Sequence, residues 1–253
     1  MGTKRKTYRL CRGDVIDVEE FHDGRYGAPG EKRQKRKKPT REDMQKVNQM
    51  NKERLARQKL LQYFQPGDYF VTLTYRVESR PKDMKEAVKH FGDMMIKVRP
   101  EYRKRGSPLY WIRNIEKGTR GAWHIHLVIT ALPETAGILE KAWKHGGIYI
   151  EQIKKSKYYD EDFSRLAAYM TKSAHTREKK ADGSEAKPRI RESSYNTSRN
   201  MPLPEPHVEK LVRWQQEPKP KKGYYIARSH EGINPATGYK YRRYTMIRLN
   251  RRI

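Results

Sequence analysis

Two histidines one residue apart, His124 and His126, lie in the run Ala122-Trp123-His124-Ile125-His126-Leu127-Val128-Ile129. The run is rich in β-branched and aromatic residues and has no Gly or Pro from 122 to 130, so it predicts a buried strand. Strand side chains alternate between faces, so both imidazoles project from the same face, next to each other. Neutral imidazoles in that arrangement are half of a divalent-metal site. Glu116 closes a strand predicted over 109–116, and residues 117–122 predict a hairpin loop. A register that pairs Glu116 with His124 brings three donors onto one face. A register one residue away puts Glu116 on the wrong face. Two imidazoles and one carboxylate leave open positions on an ion, which a catalytic site requires. Mixed nitrogen and oxygen ligation suits Mn2+, with Mg2+ the weaker fit. The bland alternative for Glu116 is a solvated acid at a strand end.

A second group with chemical potential is Tyr169-Met170-Thr171-Lys172, on a helix predicted from 162 to about 174. Tyr169 and Lys172 are three apart and share a helix face. A phenol, with an ordinary pKa of about 10, is a poor nucleophile at neutral pH without help. A metal that polarises a phosphodiester and a nearby ammonium are the help it needs. Phenolate is also a good leaving group, so a phosphotyrosine bond keeps the energy for rejoining DNA. Packing is the competing role, since the chain has 17 tyrosines.

The elements that must position these groups are legible in outline. A helix runs from a capping box at Thr40 and Asp43 to about Phe64. A strand over 69–75 follows the turn signal Gln65-Pro66-Gly67-Asp68. Met84, Ala87, Val88, Phe91, Met95 and Val98 form a helical stripe that Pro100 is expected to end. A short helix over 139–145 and a strand over 148–153 come next. Residues 177–192 form a charged insertion. A short helix is expected at 208–214 between prolines, and a basic hairpin at 224–249.

Of 253 residues, 35% are hydrophobic and 34% charged, a core-poor balance that predicts polar extensions. Residues 1–38 are expected to be a basic disordered arm, with the block 31–38 contacting phosphates. The expected catalytic domain spans 39–205. Residues 206–253 are expected to form a Pro-rich linker and the basic C-terminal hairpin. Net charge is +27, which calls for a polyanionic partner, nucleic acid by default. No stretch approaches 18 apolar residues and the N-terminus lacks a signal-peptide core, so no membrane role is expected. A single cysteine, Cys11, rules out an internal disulfide framework and a cysteine zinc site and fits a reducing, cytoplasmic setting. Neither nucleotide-binding glycine loop is present.

In order and spacing, Phe70-Val71-Thr72-Leu73-Thr74-Tyr75, then Glu116 with His124-Ile125-His126, then Tyr169-Met170-Thr171-Lys172 resemble the motifs of the HUH (His-hydrophobic-His) endonucleases. Among these, the resemblance is to rolling-circle replication initiators of plasmids and single-stranded DNA phages. It covers about residues 40–205, and Tyr195 to Asn200 resembles a further segment of phage-type initiators. The resemblance implies an α+β fold of the HUH/ferredoxin-like kind, a central antiparallel sheet of about five strands flanked by helices. It implies a metal held by Glu116, His124 and His126, nucleophilic attack by Tyr169, and Lys172 steadying the phosphate or developing charge. Thr72 and Thr74 share one strand face and would support the site or the DNA backbone, with strand packing the plainer role. It further implies site-specific nicking and joining of single-stranded or melted origin DNA through a 5′-phosphotyrosyl intermediate that leaves a 3′-OH primer. The replication machinery of a bacterial host cell is the partner implied, and a separate host helicase is expected because the helicase domain of some viral initiators is not seen here.

This chain departs from larger relatives in having no second tyrosine toward the C-terminus of the Tyr169 helix and no helicase domain. Tyr158 and Tyr159 lie upstream of that helix and are poor substitutes. Three other readings stay open: a single-tyrosine transposase or relaxase; a non-enzymatic nucleic-acid-binding protein, which charge and aromatic content alone explain; and hydrolysis by metal-activated water, which would leave Tyr169 idle.

Overall fold

The computed structural model describes residues 2–22, 33–176, 184, 186, 187, 189–234 and 237–249. In chain order the elements are β1 (Thr3–Leu10), β2 (Val15–His22), α1 (Arg41–Tyr63), β3 (Tyr69–Thr74), α2 (Met84–Lys104), β4 (Trp111–Gly118), β5 (Trp123–Ile129), α3 (Thr135–Ala142), β6 (Ile148–Gln152), α4 (Ser164–Thr171), β7 (Ile190–Thr197), β8 (His207–Leu211), β9 (Tyr224–Ile233) and β10 (Lys240–Arg248). They form two antiparallel five-stranded sheets and four α-helices, an α+β fold as expected. The chain divides into two units, residues 1–52 with 203–253 and residues 53–202, and the division falls within α1.

The unit of residues 53–202 holds the sheet β6-β3-β5-β4-β7. One face of that sheet is apolar. Val71, Leu73, Ile115, Ile125, Leu127 and Ile129 pack there against Phe91, Met94, Met95, Val98 and Tyr102 of α2 and Ile138 and Leu139 of α3. α2 begins where Asp83 accepts a hydrogen bond from the backbone N–H of Glu86, and it runs past Pro100 to Lys104. Pro100 therefore does not stop the helix. Proline removes one backbone donor, and here burial of Val98 and Tyr102 on either side of it holds the last turn in place. α3 starts four residues earlier than expected. Thr135, at its first turn, accepts from the backbone N–H of Leu132 and meets the hydroxyl of Tyr102. The expected helix over 162–174 is shorter, ending at Thr171.

The fifth strand, β7, pairs with β4 at the sheet edge. It occupies residues 190–197, part of which was expected to be a charged insertion; residues 177–183, 185 and 188 of that insertion lie outside the described residues. At the other side of the sheet, the segment 143–147 clamps the end of β3. Trp143 Nε1 donates to Thr74 O at 3.1 Å, Thr74 N to Gly147 O and Arg76 N to His145 O.

The second unit carries the sheet β8-β1-β2-β10-β9. The expectation of a disordered arm over 1–38 fails at residues 3–22, which form the β1–β2 hairpin. Residues 23–32 lie outside the described residues, and 33–38 have no regular structure. The hairpin is charged because its charges are paired across strands: Arg5 meets Glu20 at 2.8 Å, and Arg243 of β10 meets Glu19 at 2.7 Å. The short helix expected at 208–214 is also absent, because residues 207–211 pair with β1 as β8. Trp214 is held under Arg242, whose guanidinium lies 4.8 Å from its ring and donates to the carbonyls of Gln215 and Gln216. Arg242 is fully buried. A buried cation is tolerated only when it is paired, and Glu20 and Glu231 supply the charges. The hairpin expected at 224–249 is present as β9 and β10.

Gly146 tests the clamp on β3. A Cβ there would overlap the carbonyl oxygen of Thr74 and lie 2.8 Å from Tyr75 Cα, both backbone atoms that cannot swing aside. Gly146→Ala is expected to destabilise the fold by about 1–3 kcal/mol, measured as a lower urea midpoint. An unchanged midpoint would show that the clamp is loose.

Candidate active site

The site occupies the polar face of the β3-β5-β4 ladder. His126 stands opposite Asn114 of β4 and Thr72 of β3; His124 stands opposite Glu116 and Thr74. The register therefore puts both histidines, Glu116, Asn114 and both threonines on one face. Their neighbours in sequence, Leu73, Ile115 and Ile125, are fully buried in the core behind them.

His126 is the hub. Its Nδ1 lies 3.2 Å from Thr72 Oγ1, and its Nε2 lies 3.0 Å from the Tyr169 hydroxyl and 3.5 Å from Glu116 Oε2. In the tautomer where Nδ1 donates to Thr72, the Nε2 lone pair accepts the phenol proton. Glu116 is buried and receives two further contacts. Asn114 Nδ2 donates to its Oε1 at 2.9 Å, and Lys172 Nζ lies 3.1 Å from its Oε2. Asn114 Nδ2 also donates to the carbonyl of Lys172, which ties β4 to the end of α4. The Asn114 Oδ1 atom is buried with no hydrogen-bond partner.

α4 delivers Tyr169. Leu166, Ala167 and Met170 bury the opposite side of the helix. Ser164 N and Oγ both donate to Asp162, which also meets Arg57 of α1 at 3.4 Å. The Tyr169 ring stacks on Tyr158 with centroids 3.7 Å apart and meets Phe70 edge-on at 5.8 Å. Lys172 does not lie on the helix as expected. It is the residue that caps α4, with extended ψ, and this carries its ammonium back to 3.7 Å from the Tyr169 ring centroid. A cation over a phenol face favours negative charge there.

The structure thus brings Glu116, His126, Tyr169 and Lys172 into direct contact. His124 lies beside them, its ring centroid 6.3 Å from that of His126. Among the described residues, no three His, Cys, Asp or Glu side chains are gathered closely enough to hold a metal as they stand. The donor set nonetheless fits a divalent ion in type: two imidazoles and a carboxylate share a face, and two of them are already adjacent. Burial lowers the His124 pKa, and His126 and Lys172 add to that, against the opposing pull of Glu116. The ring is therefore kept neutral, the state in which it can ligate.

Asn114, Phe70 and Tyr158 escaped the sequence reading as site residues. Asn114 was within reach, because it lies two residues before Glu116 on a strand and so shares its face. Tyr158 had no local signal, since only the tertiary fold stacks it on Tyr169.

The face thus carries a helix-borne tyrosine beside an imidazole and a carboxylate. Residues 68–174 match the family model Replication-associated protein ORF2/G2P, a family of rolling-circle replication initiators, and all five residues Glu116, His124, His126, Tyr169 and Lys172 fall within the match. The match supports a role in initiating DNA replication, and with it DNA binding. No curated protein and no solved structure matches the chain. Among the described residues, no helix is long and apolar enough to cross a membrane.

The shift at His124 predicts a pH dependence. Its folded pKa lies below the ordinary value of about 6.5, so the unfolded chain takes up the proton first as pH falls. Stability therefore rises with pH through that window and is lost below it. His124→Gln is expected to flatten the fall in urea midpoint between about pH 7.5 and about pH 5, measured with chelator present. An identical fall in the variant would mean that His124 is not its source.

Proposed function

We propose that this protein nicks and rejoins single-stranded or melted origin DNA, with Tyr169 as nucleophile, and thereby initiates rolling-circle replication. The observation that carries the proposal is the 3.0 Å contact between the Tyr169 hydroxyl and His126 Nε2 on the face that also presents Glu116 and Lys172. Tyr169 Oη attacks the scissile phosphorus. The Oη–P bond forms and the P–O3′ bond breaks, and the phenolic proton ends on the departing 3′ oxygen. The products are a 5′-phosphotyrosyl adduct and a 3′-OH primer, and the reverse transfer closes the strand. Strand separation is assigned to a partner helicase.

Each side chain has a role that its contacts support. Until an ion takes its Nε2 lone pair, His126 aims the phenol oxygen, and stacking on Tyr158 limits the rotation of the Tyr169 ring. Lys172 faces both the ring and Glu116, where a cation steadies the phenolate and the incoming phosphate. Asn114 holds the Glu116 carboxylate. Glu116, His124 and His126 would hold the divalent ion, Mn2+ or Mg2+. When bound, that ion supplies positive charge against the scissile phosphate.

The test uses end-labelled single-stranded DNA with Mn2+ or Mg2+ on a denaturing gel. The expected result is a protease-sensitive labelled adduct that Tyr169→Phe cannot form. His126→Ala is expected to lose cleavage by about 100-fold or more while DNA binding persists, since orientation and charge stabilisation each contribute on that scale. Cleavage by Tyr169→Phe at the wild-type rate would transfer the chemistry to an activated water.

A further inference from the structure

A groove of about 1010 Å3 lies on the α2 side of the catalytic sheet, the face turned away from Tyr169. Its floor is Trp111 and Arg113 of β4, one wall is α2 from Val88 to Arg103, and the other is the end of β7 with residues 198–200. Alternation along β4 separates the two faces: Arg113 points into the groove, whereas Asn114 and Glu116 point to the tyrosine.

The lining is basic. Arg99, Arg103, Arg113 and Arg199 contribute guanidinium groups, and no carboxylate lines the groove. Arg99 and Arg103 are one turn apart on α2, so they line the same wall. Arg99, Arg103 and Arg199 are exposed and make no ion pair among the described residues. Elsewhere α2 does pair its charges: Glu101 is shared by Lys104 and Arg105. Unpaired like charges around one concavity repel each other, and an anion relieves that repulsion.

Arg113 is a second, independent sign. It is only 3% exposed. Its Nη1 donates to Ser194 O at 2.8 Å, and the guanidinium lies 5.1 Å from the Phe91 ring centroid. Its Nε is buried without a hydrogen-bond partner. Burial pushes its pKa down to about 10, which leaves it a cation at neutral pH. This buried cation thus keeps one donor that the described residues leave unmet, and an arriving acceptor would meet it.

We propose that this groove is a second phosphodiester-binding site, holding a nucleic-acid strand on the sheet face away from the nucleophile. The proposal deepens the nicking function and rests on it for the identity of the strand as DNA. Guanidinium forks pair with the oxygens of phosphates and carboxylates alike, and four arginines around one concavity suit a strand that carries a phosphate at every nucleotide. The volume stands at the upper end of small-ligand pockets, ~300–1,000 Å3, and exceeds what one phosphate needs. Asn196 and Asn200 add amide groups beside the arginines. Because β7 is an edge strand, with Asn196 facing the groove and Tyr195 opposite Asn114, a strand that crosses this edge links the two faces.

The test compares the full chain with the Arg99→Ala/Arg103→Ala/Arg199→Ala variant by fluorescence anisotropy, across a KCl series without divalent ions. The probe is a labelled oligothymidylate of about 30 nucleotides, and three lost contacts should make the slope of log K against log salt shallower by about 2. These side chains are exposed and unpaired, so the fold should stand, as circular dichroism will check. Unchanged slope and affinity overturn the proposal. So does a variant that binds the oligonucleotide normally but no longer binds inorganic phosphate by calorimetry, which assigns the groove to a small anion. The nicking function is judged separately, by the wild-type Tyr169 adduct on the denaturing gel; its failure leaves any difference in slope standing.

Discussion

The pairing of His126 with Asn114 on one side and Thr72 on the other is the constraint on which the polar face depends. Leu73, Ile115 and Ile125, each with no exposed area, hold that pairing from behind. A slip of one residue in β5 would turn Ile125 to the polar side and drive His124 and His126 into the core. Each aliphatic side chain so exposed forfeits roughly 1.5–3 kcal/mol. Polar groups buried without partners add roughly 1–3 kcal/mol each. A few such terms together rival the whole stability of a domain, about 5–15 kcal/mol. The register is therefore set by the oily side of the sheet, although the candidate site stands on the other.

Charge follows two regimes in this chain. In the β8-β1-β2-β10-β9 sheet, basic side chains are matched: Arg5, Arg242 and Arg243 all reach glutamates on neighbouring strands. Those pairs let a strongly charged sequence form strands at all. Around α2 and β7 the arginines of the groove meet no carboxylate among the described residues, and this is the part of the net charge of +27 that the proposed second site would use.

What the sequence made legible was what short-range periodicity encodes. The strand around His124 and His126, the strand at 69–74, the α2 stripe and the Thr40–Asp43 cap all rest on contacts close in sequence. The N-terminal hairpin was missed because β1 gains one neighbour, β8, some two hundred residues away, and β2 likewise gains β10. Lys4, Arg5 and Lys6 look like an arm until those strands arrive. β7 lacks a local signal for the same reason, being an edge strand of polar residues whose only strand partner among the described residues is β4. At the site, residue types and order were readable, whereas the Glu116–His124 register could be posed only as a condition. Counting residues alone puts Lys172 on a helix face with Tyr169. The helix ends one residue before it, and the extended backbone that follows is what returns the ammonium to the tyrosine.

That ammonium has a consequence for turnover. Glu116 Oε2 already has a tethered cation at 3.1 Å, delivered by the same segment that carries the tyrosine. A free ion that binds this carboxylate competes with a ligand whose effective concentration is set by a few rotatable bonds. Binding of the proposed divalent ion from solution would be weakened by that competition, and the returning side chain would favour its release. A centre so arranged would exchange its counter-ion readily rather than retain it.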